Sequence, residues 1–219
     1  MKLLALETAT DACSVALYCD GTTLQRHALA PQRHTLLLLP MVRELCAEAG
    51  ITPAALDAIA VGIGPGAFTG VRVATAVAQG LAYAHDLDVV EVSTLAALAQ
   101  GGYRLTGIRQ WLATLDARRH EAYWAHYSID AVGIAIATTP ASVSAAPDIA
   151  LPAGKAWRAV GTGWPAYAVA MTGTWPDFGP VPVLMPEAQD IVMLGLAGLK
   201  AGQVIRAEAL APTYLRAAV

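Results

Sequence analysis

The run Gly64-Pro65-Gly66-Ala67-Phe68-Thr69-Gly70-Val71-Arg72 is the segment of this sequence best suited to chemistry. Its glycines permit positive φ and close backbone approach, and a helix beginning there would offer free N–H groups to an anion. No Gly-Lys-Ser/Thr follows at Walker spacing, so the run also reads as a tight strand-to-helix turn whose glycines serve packing. Two carboxylates, Glu7 and Asp116, each end an apolar run, where α/β sheets place ligands. Paired acids in a cleft could hold a magnesium nucleotide, and solvated strand ends give the same pattern. The candidate nucleotide or anion set is Glu7, Gly64, Gly66, Thr69, Asp116 and Arg118.

Other chemistries find little support. Among His27, His34, His85, His120 and His126 no two stand three or four residues apart, so one helix turn cannot present a pair to a metal. His120 and His126 would share a strand face about 20 Å apart. The sequence holds no Gly-x-Ser-x-Gly elbow. Cys13, Cys19 and Cys46 form no CxxC pair and read as buried free thiols of a reducing compartment. We therefore expect no catalytic residue, no metal and no cofactor.

The elements that would carry these residues follow from periodicity. Residues 3–8, 14–18, 58–63 and 89–92 are short apolar runs suited to strands, and Asp20-Gly21 suits a hairpin turn into 22–29. Residues 34–49 place apolar side chains at helical spacing and end at Gly50. A long Ala-rich helix spans about 68–84, and Ser93 or Thr94 caps another through Gln100. Strand, acidic residue, turn and strand then recur at 111–128, so the second half copies the plan of the first. Gly102 to Gly107 reads as the hinge, with a strand near 157–161 and a helix near 187–201 beyond it. The class is α/β with mixed sheets.

Composition narrows the partners. Of the 219 residues 56% are hydrophobic and 14% charged, against roughly 25% charged in an average soluble domain. The longest stretch free of Asp, Glu, Lys and Arg, 159–176, is broken by Pro165, Pro176 and three glycines. It is no membrane span. Leu3 to Leu6 is too short for a secretory core, so a soluble, cytoplasmic protein is expected. With a net charge of −3, three lysines and one adjacent pair of arginines, Arg118-Arg119, the chain is poorly equipped to grip RNA by itself. The apolar excess gathers on the two long helices. Leu36 to Leu39 cover every side of a turn, and Ala74, Ala76, Ala78 and Gly80 allow close approach. Such helices are buried on both sides within the domain or shared with a second protein.

Several motifs together resemble one family. Leu4-Ala5-Leu6-Glu7-Thr8-Ala9-Thr10, His34 before Leu39-Pro40, the 64–72 run, Gln79-Gly80-Leu81-Ala82 and Val92-Ser93-Thr94-Leu95 are similar to the TsaB (YeaZ) family. Asp116-Ala117-Arg118-Arg119, Val160-Gly161-Thr162-Gly163-Trp164 and Pro212-Thr213-Tyr214-Leu215-Arg216 extend the resemblance across nearly the whole chain. Ala67 stands where that family has Ser, and His120 where it has Gly or Asp. The missing hydroxyl weakens the phosphate reading of the turn.

The resemblance implies the duplicated actin/hexokinase/Hsp70-like (ASKHA) fold, with subdomains at 1–104 and 105–219 and the extreme C-terminus a candidate to return to the first. It implies a non-catalytic scaffold in the bacterial system that forms N6-threonylcarbamoyladenosine at position 37 of tRNAs reading codons that begin with A. The implied partners are a TsaD-like transferase, which carries the His-x-x-x-His metal motif this chain lacks, and a TsaE-like ATPase. A homodimer is implied when the chain is alone, and tRNA is met only through the complex. The interface set on the two helices is His34, Leu37, Leu38, Met41, Leu45, Arg72, Thr75, Ala76 and Gln79. Arg at Ala76 or Leu38 is expected to break pairing and leave the subunit folded. The alternative is an enzyme of the same superfamily, a nucleotide-dependent phosphotransferase or glycoprotease-like hydrolase.

Overall fold

Short apolar runs and one Asp-Gly turn assemble the first sheet. Its strands are β1 (Lys2–Glu7), β2 (Ala12–Cys19), β3 (Thr22–Leu29), β4 (Ala58–Gly62) and β5 (Asp88–Val92), in the order β3-β2-β1-β4-β5. The computed structural model describes residues 1–150, 156–171 and 185–216. Asp20 and Gly21 both take positive φ, 47° and 101°, as a two-residue hairpin turn demands. β1, β4 and β5 run parallel, and the connections around β4 pass through α1 (His34–Glu48) and α2 (Phe68–His85).

Alternation along β1 decides what covers the sheet. Leu4 and Leu6 point to the side packed by α1 and α2, while Leu3 and Ala5 point to the side packed by α5 (Ala188–Lys200). α5 lies close because its contact face is small. A Cβ on Gly195 would stand 2.5 Å from the Cβ of Ala60, and one on Gly198 2.7 Å from Val90.

The second sheet repeats the plan. β6 (Gln110–Asp116), β7 (Glu121–Ile129), β8 (Ala135–Ala137) and β10 (Arg158–Val160) lie in the order β10-β6-β7-β8, with β9 (Ser142–Ala145) paired to the start of β7. β6 pairs antiparallel with β7 and parallel with β10, as β1 does with β2 and β4. α4 (Gly163–Met171) follows β10 as α2 follows β4. Leu95, Leu98 and Ala99 of α3 (Thr94–Thr106) close the inner face over Trp111, Ala113 and Val160.

Two expectations change. The expected hinge at 102–107 is helical to Thr106, because α3 continues past Gln100 and ends only where Gly107 takes φ 72°. Gly102 sits so near the Trp111 ring that a Cβ would come within 2.8 Å of it. A division at 104/105 parts the two sheets but leaves α5, expected with the second unit, on the first sheet. Beyond α5, Ile205 and Val89 exchange backbone hydrogen bonds, and Thr213 N donates to Ile63 O.

An ion pair whose acid is buried fastens α3 to α5. Arg104 Nε and Nη2 donate to Asp190 Oδ1 and Oδ2, both at 2.9 Å, and Asp190 is 1% exposed. Arg104 also faces Glu187, whose other oxygen accepts from Gln25 of β3 at 2.8 Å. Burial pushes the Asp190 carboxyl up against the pull of Arg104. Removing one partner strands the other charge, so Arg104→Met is expected to cost about 3–5 kcal/mol in chemical denaturation. The double variant Arg104→Met/Asp190→Leu should recover most of that loss. Equal losses in the single and double variants would show that the pair is not the fastening.

Candidate functional site

Helical periodicity sorts the leucines of α1. Leu38, Val42 and Leu45 face the sheet, with Leu38 and Leu45 fully buried, whereas Leu36 is 66% and Leu39 40% exposed. On α2, Val71, Ala74, Thr75, Ala78 and Ala82 face inward. Phe68, Thr69, Arg72, Ala76, Gln79 and Tyr83 face outward. The two helices leave between them an apolar groove of about 370 Å³ lined by Thr35, Leu39, Phe68, Arg72 and Ala76, with Leu38 at its base.

This geometry corrects part of the expected interface. Leu38 and Leu45 belong to the core, as do Thr75, whose hydroxyl donates to Val71 O at 3.0 Å, and His34, whose Nε2 is buried with no hydrogen-bond partner among the described residues. Arg at Leu38 would put a charge into that core and would not leave the subunit folded. Leu37 and Met41 are half-buried against the core cluster, and Arg72, Ala76 and Gln79 remain on the outer face. Leu36, Leu39, Phe68 and Tyr83 were missed. The signal is the complement of the 38, 42, 45 register for Leu36 and Leu39 and of the 71, 74, 78, 82 register for Phe68 and Tyr83.

A second space, of about 820 Å³, opens between the ends of the two sheets. It is lined by the β1–β2 turn, residues 65–68, Asp116 to Arg119, Thr162 and residues 213–216. Of the expected nucleotide set, Gly66, Asp116 and Arg118 line it, whereas Glu7, Gly64 and Thr69 do not. The set does not converge. Asp116 is committed within the chain: Oδ1 accepts from Tyr167 at 2.6 Å and Arg118 N at 2.8 Å, and Oδ2 from Arg118 Nη1 at 3.1 Å.

The Gly-rich turn is filled by its own neighbours. Ala67 N donates to Ala9 O at 2.7 Å, and Thr8 Oγ1 donates to Gly70 O at 2.7 Å. A Cβ on Gly66 or Gly70 would meet the Ala9 or Thr8 carbonyl oxygen at 2.3 or 2.1 Å. These glycines therefore admit the β1–β2 turn against the start of α2. Among the described residues no cluster of His, Cys, Asp and Glu could hold a metal ion, and no helix is long and apolar enough to cross a membrane. Burial pushes the Cys13 thiol up to about 11.

Glu7 is fully buried beneath Gly62, where a Cβ would collide with its Oε2. Ala9 N donates to Oε1 at 2.6 Å and Thr94 Oγ1 to Oε2 at 3.1 Å, tying β1 to the start of α3. Burial outweighs these bonds and pushes the carboxyl up from 4.5 to about 7. The folded chain then keeps a proton that the unfolded chain releases, so this contribution is present below about pH 4.5 and lost as pH rises through about 7. Glu7→Gln keeps the size and the acceptor and removes the titration. Relative to it, the wild type should lose stability between about pH 5 and about pH 8, by at most about 1.4 kcal/mol per unit. Denaturation curves whose midpoints shift in parallel over that range would contradict this assignment.

The chain resembles known proteins along almost its entire length. The family model for TsaD, tRNA N6-adenosine threonylcarbamoyltransferase, matches residues 27–211. The tRNA threonylcarbamoyladenosine biosynthesis protein TsaB of Escherichia coli K12 is 39% identical over 99% of this chain and 95% of its own. TsaB of Haemophilus influenzae is 45% identical over 57% of this chain and 52% of its own. The solved structure of YeaZ from Pseudomonas aeruginosa superposes with a TM-score of 0.90 at 42% identity, covering 98% of this chain and 99% of that one.

Proposed function

The chain belongs to the TsaB branch of the TsaD family, in the pathway of tRNA threonylcarbamoyladenosine biosynthesis, and we propose that it serves there as a non-catalytic docking subunit. Its two α/β units carry the actin/hexokinase/Hsp70-like fold. The transferase subunit it supports is TsaD-like and docks on the outer face of α1 and α2. A TsaE-like ATPase joins the assembly, two copies of this chain pair through the same face when the transferase is absent, and all of this takes place in the cytoplasm, where tRNA is modified.

The observation that carries this reading is the outer face of α1 and α2. Both helices are apolar inward and also expose large apolar side chains outward, Leu39 at 40% and Phe68 at 60% on the groove and Leu36 at 66% and Tyr83 at 72% elsewhere on the same helices, among the polar Thr69, Arg72 and Gln79. A surface of that kind is costly in water and is relieved when a partner covers it. This chain itself matches the transferase family model, so partner and chain are built alike and can pair helix to helix about a pseudo-twofold axis. The cleft supports the non-catalytic side of the reading. Glu7 is sealed away from it, and Asp116 already satisfies Tyr167 and Arg118.

Ala76 is exposed on α2 and lines the groove, so it can be changed without entering the core. Ala76→Arg is expected to weaken binding of a TsaD-like subunit by about thirtyfold or more, the scale of a central interface loss. Its thermal midpoint should stay within about 2 °C of the wild type. Calorimetric titration of the two purified subunits checks both. Unchanged affinity in a folded variant would place the interface elsewhere.

A further inference from the structure

Phe68 and Arg72 line both the groove and the cleft, so one pair of side chains forms the wall between them. The Arg72 guanidinium carbon stands 3.7 Å from the centre of the Phe68 ring and 5.6 Å from that of Tyr214. Its Nε donates to the Tyr214 hydroxyl at 2.7 Å, and the two rings lie 5.7 Å apart. All of this is accessible to water, with Phe68 60% and Tyr214 48% exposed.

Tyr214 belongs to a C-terminal segment laid along the first unit. Ile205 and Val89 exchange two backbone hydrogen bonds at 2.9 Å, Gln79 Nε2 of α2 donates to Ala207 O at 2.9 Å, and Thr213 N donates to Ile63 O at 2.8 Å. Just past Tyr214 the segment reaches the other unit. Arg216 Nη2 donates to Ala117 O at 3.2 Å and pairs with the Glu121 carboxylate. Between those two contacts lie Arg118, Arg119 and His120, three successive residues at φ 62°, 57° and 62°. Such a conformation persists only where its surroundings hold it.

We propose that residues 205–216 are a strap that couples partner docking on α1 and α2 to the turn at 117–121 across the cleft. The proposal rests on the reading of that face as the docking surface. A partner seated on the groove removes water from the Arg72 stack, and a charge-assisted bond is stronger where water is excluded. Docking thereby tightens Arg72 on Tyr214, and the strap draws Arg216 onto the turn. The coupling is reciprocal: loosening the strap weakens docking by the same factor that docking tightens the turn. The far end is a half-exposed ion pair, weak enough to be shifted by such a change.

Hydrogen exchange on the full chain tests this with and without a TsaD-like subunit. In the chain alone, Tyr214→Phe and Arg216→Ala should each speed exchange in peptides covering 116–121 by about two- to fivefold. Docking should slow exchange there in the wild type by about two- to fivefold and leave it unchanged in Arg216→Ala, whose affinity for the subunit falls by the factor that docking slows the wild type. Unaltered exchange in Tyr214→Phe, or a turn indifferent to docking in a wild-type complex that does form, would overturn the strap. If no complex forms, the docking reading fails, while the two variants of the free chain still decide whether the strap exists.

Discussion

A sheet that is apolar on both faces must be covered on both, and the rest of this molecule answers that constraint. β1 sends Leu4 and Leu6 one way and Leu3 and Ala5 the other. α1 and α2 close the first side and α5 the second. Because α5 comes from beyond the second sheet, covering the first unit binds the two units together. The small surfaces of Gly195, Gly198, Ala5 and Ala60 let the helix lie close, and the Arg104–Asp190 pair fixes α3 to it.

The same constraint explains the proposed docking face. Once the 38, 42, 45 register of α1 and the 74, 78, 82 register of α2 are turned inward, the remaining leucines, Phe68 and Tyr83 have no further layer above them. The apolar excess thus falls on both sides of the same helices, core inside and the proposed docking face outside. The cleft has gone the other way. Its turn is packed by Thr8 and Ala9, its acidic residue is bonded to Tyr167, and the counterpart of that acid in the duplicated plan, Glu7, is sealed in the interior.

Much of this was legible in the sequence. The Asp20-Gly21 hairpin, the two long helices and the recurrence of strand, acid, turn and strand all follow from period and turn chemistry, and they lie where that reading put them. Four consecutive leucines could not say which would face inward, because every direction around the turn was apolar; only packing against β2 and α2 selected Leu38. Gly102 to Gly107 looked like a hinge because glycine flanks it. The structure shows the first glycine making room for Trp111 and the second ending the helix. Likewise the Gly64–Gly70 run left phosphate and packing open, and the Ala9 carbonyl decides for packing.

The central claim is that this chain acts through the outer face of α1 and α2 and not through chemistry of its own. The direct measurement is threonylcarbamoyl transfer to tRNA, reconstituted from a TsaD-like transferase and a TsaE-like ATPase with wild-type chain, with Ala76→Arg, or with neither. The expected result is turnover that requires the wild-type chain, falls with Ala76→Arg, and recovers as the variant is raised toward its weakened dissociation constant. Full turnover with a variant that no longer docks, or without the chain at all, would contradict it.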